Sequence, residues 1–233
     1  DYGVQFNKLM YERLMTGGDI TLFSPSDVPG LYEAFFNDQE KFKELYEEAE
    51  RTVTRKKTLR ASDVFGTFME ERKNTGRIYL QNVDHANTHG AFDEQVAPIK
   101  QSNLCCEINL PTKPLKHFHD EEGEISLCTL SAINWGNIKS PKDFERVCNL
   151  AVRALDELLD YQNYPVIAAE LSTMKRRPLG VGIINFAFWL AKNDLNYQDI
   201  DSAGLAKIDE WTEAWSYYLI KASADLAIEK GNI

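Results

Sequence analysis

The chain has 233 residues, 43% hydrophobic and 27% charged, which suits one large or two small globular domains. Its formal net charge of −10 argues against a nucleic-acid partner, because phosphate binding needs a net basic face; a small basic pocket for one phosphorylated substrate stays compatible. No apolar run approaches the ~18–20 residues of a membrane helix, and Asp1-Tyr2-Gly3-Val4 has neither the basic nor the apolar part of a signal peptide, so no membrane partner and a cytoplasmic location are expected.

Residues 4–15 carry Val4, Phe6, Leu9, Met10 and Leu14 at roughly helical spacing, up to the break at Gly17-Gly18. Thr21-Leu22-Phe23 is a short apolar piece before the turn signals Ser24-Pro25-Ser26-Asp27 and Pro29-Gly30. Residues 39–54 predict a surface helix with Phe42, Leu45, Tyr46 and Ala49 on one stripe. Ser62 suits the N-cap of a helix bearing Val64, Phe65, Phe68 and Met69, with Gly76 as its stop. Arg77–Gln81 alternates as a strand, and residues 83–101, with His85 and His89, read as a long loop. Residues 103–110 predict a strand, 120–124 an acidic turn, and 125–133 a buried strand. Pro141 opens the clearest helix, 141–161, striped by Phe144, Val147, Cys148, Ala151, Leu155, Leu158 and Leu159. A strand or strand-to-helix entry over 178–184 and a long helix over 204–229 complete the pattern. Gly180-Val181-Gly182 lacks the third glycine and the lysine of a phosphate loop and reads as close strand-to-helix packing. The expectation is one α/β domain of four or five strands, too few to close a barrel.

The chemistry concentrates in Ser102-Asn103-Leu104-Cys105-Cys106-Glu107-Ile108-Asn109-Leu110. In a strand, alternate residues share a face. Leu104, Cys106, Ile108 and Leu110 would form an apolar side, and Asn103, Cys105, Glu107 and Asn109 the other. That groups an amide, a reactive sulfur and a proton acceptor within reach of one small substrate. On spacing alone, an edge strand with a polar outer face and an incidental cysteine is the simpler reading. Cys128, in Ser126-Leu127-Cys128-Thr129-Leu130-Ser131, reads by itself as a core cysteine, and Cys148 as core on its helix stripe. Without a secretory signal, free thiols are the default.

Ser-Asn-Leu-Cys-x-Glu-Ile followed by Leu-Pro-Thr-Lys-Pro-Leu resembles the active-site strand of the large (alpha) subunit of class I, aerobic ribonucleotide reductases. Glu124 to Asn134 is similar to the next barrel strand of that family. So are Tyr2–Met10, Asp19–Pro25, Thr75–Tyr79, Asn82–His85 and Pro178–Gly182, so the resemblance spans the chain and is strongest to bacterial and T-even-type phage forms. It implies part of a ten-stranded α/β barrel and an allosteric, cytoplasmic oxidoreductase making deoxyribonucleotides for DNA synthesis. By resemblance, Cys105 becomes a thiyl radical that takes the ribose 3′-hydrogen, and Glu107 takes the 3′-hydroxyl proton. Asn103 positions that carboxylate and the substrate hydroxyls, and Cys128 is one of two thiols that end as a disulfide. By the same resemblance its partner lies well upstream, on another barrel strand; Cys106, which faces away from Cys105 and would need a strained vicinal disulfide, is a poor substitute.

The resemblance further implies a ribonucleoside diphosphate substrate, a small subunit whose di-metal centre supplies the radical, and electrons from thioredoxin or glutaredoxin. No cofactor is expected on these residues. The family's ATP-binding cone, early barrel half and C-terminal cysteine tail are expected to lie outside residues 1–233, which read as a single partial catalytic-barrel domain. Two rival expectations stand beside this. Cys105, Cys106, His117, His119 and Cys128 are all zinc-ligating residue types, though their spacing fits no common motif. Alternatively the chain is a structural piece of a split large subunit, inactive until the remaining large-subunit segments join it.

Overall fold

Tyr2–Phe6 is a strand, and the helix expected over 4–15 begins only at Lys8. Val4 and Phe6 satisfy alternation as well as helical spacing, and Asn7 decides between them. Its backbone is extended, it is fully buried, and its side-chain oxygen accepts from Met10 N at 3.4 Å, which makes it an N-cap. The computed structural model describes residues 2–103 and 105–231. They fall into two units: Asp1–Lys116 with Glu122–Ser126, and His117–Glu121 with Leu127–Ile233.

In chain order the first unit comprises β1 (Tyr2–Phe6), α1 (Lys8–Met15), β2 (Asp19–Leu22), α2 (Leu31–Asn37), α3 (Gln39–Thr52), β3 (Lys57–Arg60), α4 (Ala61–Thr75), β4 (Ile78–Asn82) and α5 (Val83–Thr88). β1 pairs in parallel with β4, from Tyr2↔Ile78 to Phe6↔Asn82, and β2 pairs antiparallel with β3. Asp38 caps α3 by accepting from Lys41 N at 3.0 Å. The stripe read from the sequence, Phe42, Tyr46 and Ala49, is buried with Leu9, Val28, Leu31 and Ala34. The Tyr46 hydroxyl ties this core to β2: it donates to Thr21 O at 2.8 Å and accepts from Thr21 N at 2.6 Å.

α4 starts one residue before Ser62, with Arg60 in the N-cap position and no side-chain cap. It stops at Gly76 as expected, in the left-handed conformation (φ 65°) that a glycine adopts without a Cβ penalty. The loop expected over 83–101 contains α5. Its buried Asn87 donates to Val83 O and Ile99 O, each at 2.9 Å, and accepts from Ile99 N at 2.7 Å. One amide therefore replaces the missing ladder for the chain that follows.

The second unit comprises β5 (Leu130–Asn134), α6 (Phe144–Tyr161), α7 (Ile167–Arg176), β6 (Gly180–Ile184), α8 (Phe186–Lys192) and α9 (Ser202–Lys230). β5 and β6 are parallel, in register from Leu130↔Gly180 to Asn134↔Ile184, with α6 and α7 forming the crossover such a pair requires. A Cβ at Gly180 would lie 2.5 Å from Leu130 Cδ2, so this glycine serves close packing against the neighbouring strand β5 rather than the strand-to-helix packing expected. Trp135, Phe144, Cys148, Trp189, Leu190 and Trp211 form the core, with Trp189 and Trp211 ring centroids 4.8 Å apart. The strand expected over 125–133 starts only at Leu130, because pairing begins where Gly180 N donates to Thr129 O at 2.9 Å.

The described residues thus hold six strands in three two-stranded sheets and no closed barrel, against four or five strands expected. Among the described residues no helix is long and apolar enough to cross a membrane.

Candidate active site

Residues 103–110 are not a strand where they are described. Cys106 N donates to Asn103 O at 3.1 Å, closing a turn, and Cys106 takes a left-handed backbone (φ 60°). Two side chains then satisfy the backbone that a sheet neighbour would otherwise serve. Ser102 Oγ donates to Ile108 O at 2.5 Å, and Ile108 N donates to Asn103 Oδ1 at 3.1 Å. Short polar side chains offer just this local alternative to a ladder. Leu104, assigned to the apolar side, lies outside the described residues.

The alternation itself persists in exposure. Cys105, Glu107 and Asn109 are exposed, whereas Cys106, Ile108 and Leu110 are half-buried. Asn103 is half-buried and holds the turn on which the other two sit. Asn103, Cys105 and Glu107 thus lie on or beside one turn rather than on one strand face. Beside the turn an open pocket of about 330 Å³ is lined by Gln5, Gln81, Ser102, Asn103 and Cys106, among others.

The four thiols differ. Burial pushes the Cys148 thiol up to about 11, which suits the inert core cysteine expected there. Cys106 is also raised, by burial first and then by the neighbouring Glu107 and Cys105. Cys128 is exposed and precedes β5, rather than lying in a buried strand. It belongs to the second unit and Cys105 to the first.

Residues that sequence reasoning passed over stand behind the turn. Gln5 and Gln81 are register partners on β1 and β4. Gln5 Nε2 donates to Gln81 Oε1 at 2.8 Å and to Lys100 O at 2.7 Å, and Gln81 Nε2 donates to Asn109 Oδ1 at 3.4 Å. Only the pairing of β1 with β4 gives these glutamines meaning, and no local pattern encodes that pairing.

His85 and His89, expected in a loop, instead sit on α5 and at its C-cap, with their rings 4.8 Å apart. Thr88 Oγ1, 2.8 Å from His89 Nδ1, also donates to Asp84 O at 2.9 Å. Among the described residues, no three His, Cys, Asp or Glu side chains are grouped to hold a metal ion.

A helix-rich α/β chain of few paired strands thus carries an exposed thiol and an exposed carboxylate two residues apart. The chain belongs to the ribonucleotide reductase barrel-domain family, whose model matches residues 1–233. It is 60% identical to the ribonucleoside-diphosphate reductase subunit alpha of Haemophilus influenzae, over 99% of this chain and 30% of that protein. It is 57% identical to the corresponding reductase 1 subunit of Escherichia coli K12 and 48% identical to that of Enterobacteria phage T4, with the same coverage. The chain thus spans about 30% of the length of these relatives.

Proposed function

We propose that these residues carry the catalytic centre of a ribonucleoside-diphosphate reductase alpha subunit. The reaction converts a ribonucleoside diphosphate to its 2′-deoxy form. The observation that supports this most directly is the turn that leaves Cys105 and Glu107, two residues apart, both exposed, in a chain matched end to end by the barrel-domain family.

In this reading Cys105, as a thiyl radical, takes the 3′-hydrogen atom and later returns it. Thiol S–H and ribose C–H bonds are close enough in strength for the exchange to be nearly reversible. Glu107 takes the 3′-hydroxyl proton, which helps the 2′-hydroxyl leave as water. Asn103 shapes the turn and contacts the substrate hydroxyls. Cys128 and a second thiol supply two electrons and end as a disulfide, which requires their Cβ atoms to come within about 4 Å. A di-metal small subunit supplies the initial radical, and thioredoxin or glutaredoxin restores the dithiol.

Both units lie inside one family match, and residues 1–233 are read as one partial catalytic-barrel domain. Its partners within the large subunit are the remaining barrel segments. Large apolar side chains left exposed support this: Tyr161 is 87% exposed, Met15 85% and Val96 81%.

The test places Cys105→Ser, Glu107→Gln and Cys128→Ser in a full-length alpha subunit carrying these 233 residues, assayed with its small subunit. The first two are expected to lose turnover, by at least about 1,000-fold for the thiol. Cys128→Ser should still consume the radical but give little deoxy product. Wild-type product yield from Cys105→Ser would overturn the reading.

A further inference from the structure

The segment proposed to carry the chemistry has no sheet of its own. What fixes it to the fold is a relay of three side-chain amides, and its direction follows from one backbone group. Lys100 O can only accept a hydrogen bond. Gln5 must therefore turn its NH2 toward it, and does so at 2.7 Å. The second proton of that NH2 meets Gln81 at 2.8 Å, so Gln81 must present its oxygen there. Its own NH2 then faces Asn109, which must present Oδ1, at 3.4 Å. The relay grips both ends of residues 100–109. It rises from β1 and β4 at the pair Gln5↔Gln81, where Gln81 is 6% exposed.

Between the gripped ends, the local bonds of Ser102, Asn103, Cys106 and Ile108 hold the turn to itself and not to the sheet. We propose that Gln5 and Gln81 are positioning residues. Their amide relay clamps both ends of the active-site segment to the β1–β4 pair and thereby sets where Cys105 and Glu107 stand. This rests on the functional reading above. Near-attack geometry is sensitive, since misplacement by about 1 Å can cost about 100-fold in rate. The binding of a diphosphate elsewhere on the subunit would be untouched.

The forced direction gives the test its selectivity. In the full-length subunit, Gln5→Leu and Gln81→Leu should each lower kcat about 100-fold, with KM changed less than about threefold. Gln5→Glu should fail equally, because a carboxylate then faces the Lys100 carbonyl with no proton between them. Gln81→Glu should stay within about threefold of wild type. It keeps the acceptor Gln5 needs, and exposed Asn109 can turn its NH2 inward. Adding Asn109→Asp to Gln81→Glu removes that donor and should bring the loss back. Hydrogen exchange at the Cys106 and Ile108 amides should speed up in the leucine variants while the melting temperature stays within about 2 °C.

Unchanged exchange in Gln5→Leu would overturn the clamp, whatever the fate of the catalytic assignment. Wild-type kcat in both leucine variants, or a loss matched by falling Tm and rising KM with Gln81→Glu no better than Gln81→Leu, would overturn its catalytic role. Cys105→Ser, run in parallel, reports separately on the functional reading: if that variant turns over normally, the reading fails and the exchange result alone judges the clamp.

Discussion

Two properties govern what a cysteine does: how much of it is thiolate, and what can reach it. Cys148 fails on both counts. With its pKa pushed up to about 11, only about one molecule in a thousand is thiolate at pH 8, and the side chain is fully buried. Iodoacetamide at pH 8 should therefore modify exposed Cys105 and Cys128 in the native protein, and Cys148 only after denaturation, as read by peptide mass mapping. Native labelling of Cys148 at the rate of Cys105 would contradict this. Cys106 poses a backbone question instead. Its left-handed conformation costs a non-glycine residue about 1–2 kcal/mol, and more when the side chain is β-branched. Cys106→Val should lower stability by a further 1 kcal/mol or about that, whereas Cys106→Gly should be tolerated; urea unfolding of both variants measures the difference. The turn's chemistry-bearing residues were readable as letters at fixed spacing. The turn itself was not, because a period of two describes exposure and says nothing about whether a neighbouring strand is there to pair.

Elements were legible where a stripe or a cap is local. Helices α3, α4, α6 and α9 and strands β4 and β6 appear close to where patterning puts them. β1 was hidden because Val4 and Phe6 fit two periods at once, and α5 because one buried amide, Asn87, organises a stretch with no apolar rhythm. The join before β6 was equally invisible. There Arg177, itself left-handed (φ 44°), makes paired 2.8 Å bonds to Asp160 and reaches Asp156 at 2.5 Å, while Lys230 of α9 bonds the other oxygen of Asp156. Burial pushes Asp156 up, but hydrogen bonds and charge from Arg177 and Lys230 outweigh it and hold the carboxyl below the usual range. Asp160, bonded to Arg177, is held at about 2. Depressed carboxylates stabilise the fold fully above the unfolded pKa of about 4 and lose that contribution as pH falls toward the folded value. Arg177→Met leaves Asp156, 5% exposed, short of its main partner and should cost about 3 kcal/mol at pH 7. The gap between wild type and variant should close between about pH 4 and pH 2. A gap independent of pH in urea titrations would show that packing, not charge, carries the effect.

At the scale of the molecule, two-stranded sheets are marginal on their own, and several large apolar side chains meet solvent. The 233 residues expressed alone should bind ANS more strongly than the same residues carried within a full-length alpha subunit; equal fluorescence per mole would argue against covering by further barrel segments. The distribution of aromatic residues has its own experimental result. Of the chain's four tryptophans, Trp135, Trp189 and Trp211 belong to the core of the second unit and Trp215 packs against it, and the first unit, with Cys105 and Glu107, contains none. Emission excited at 295 nm is thus a one-sided gauge. It should be blue-shifted, since three of the indoles are at most 5% exposed, and coupling among the close rings should add a far-ultraviolet dichroic signal that disappears when that core melts. Neither signal registers the half of the chain that holds the proposed chemistry. A tryptophan-free unit is also a blank slate for a single reporter: Tyr79→Trp on β4 would give the first unit its own colour, so that the two halves can be watched unfolding separately in one cuvette.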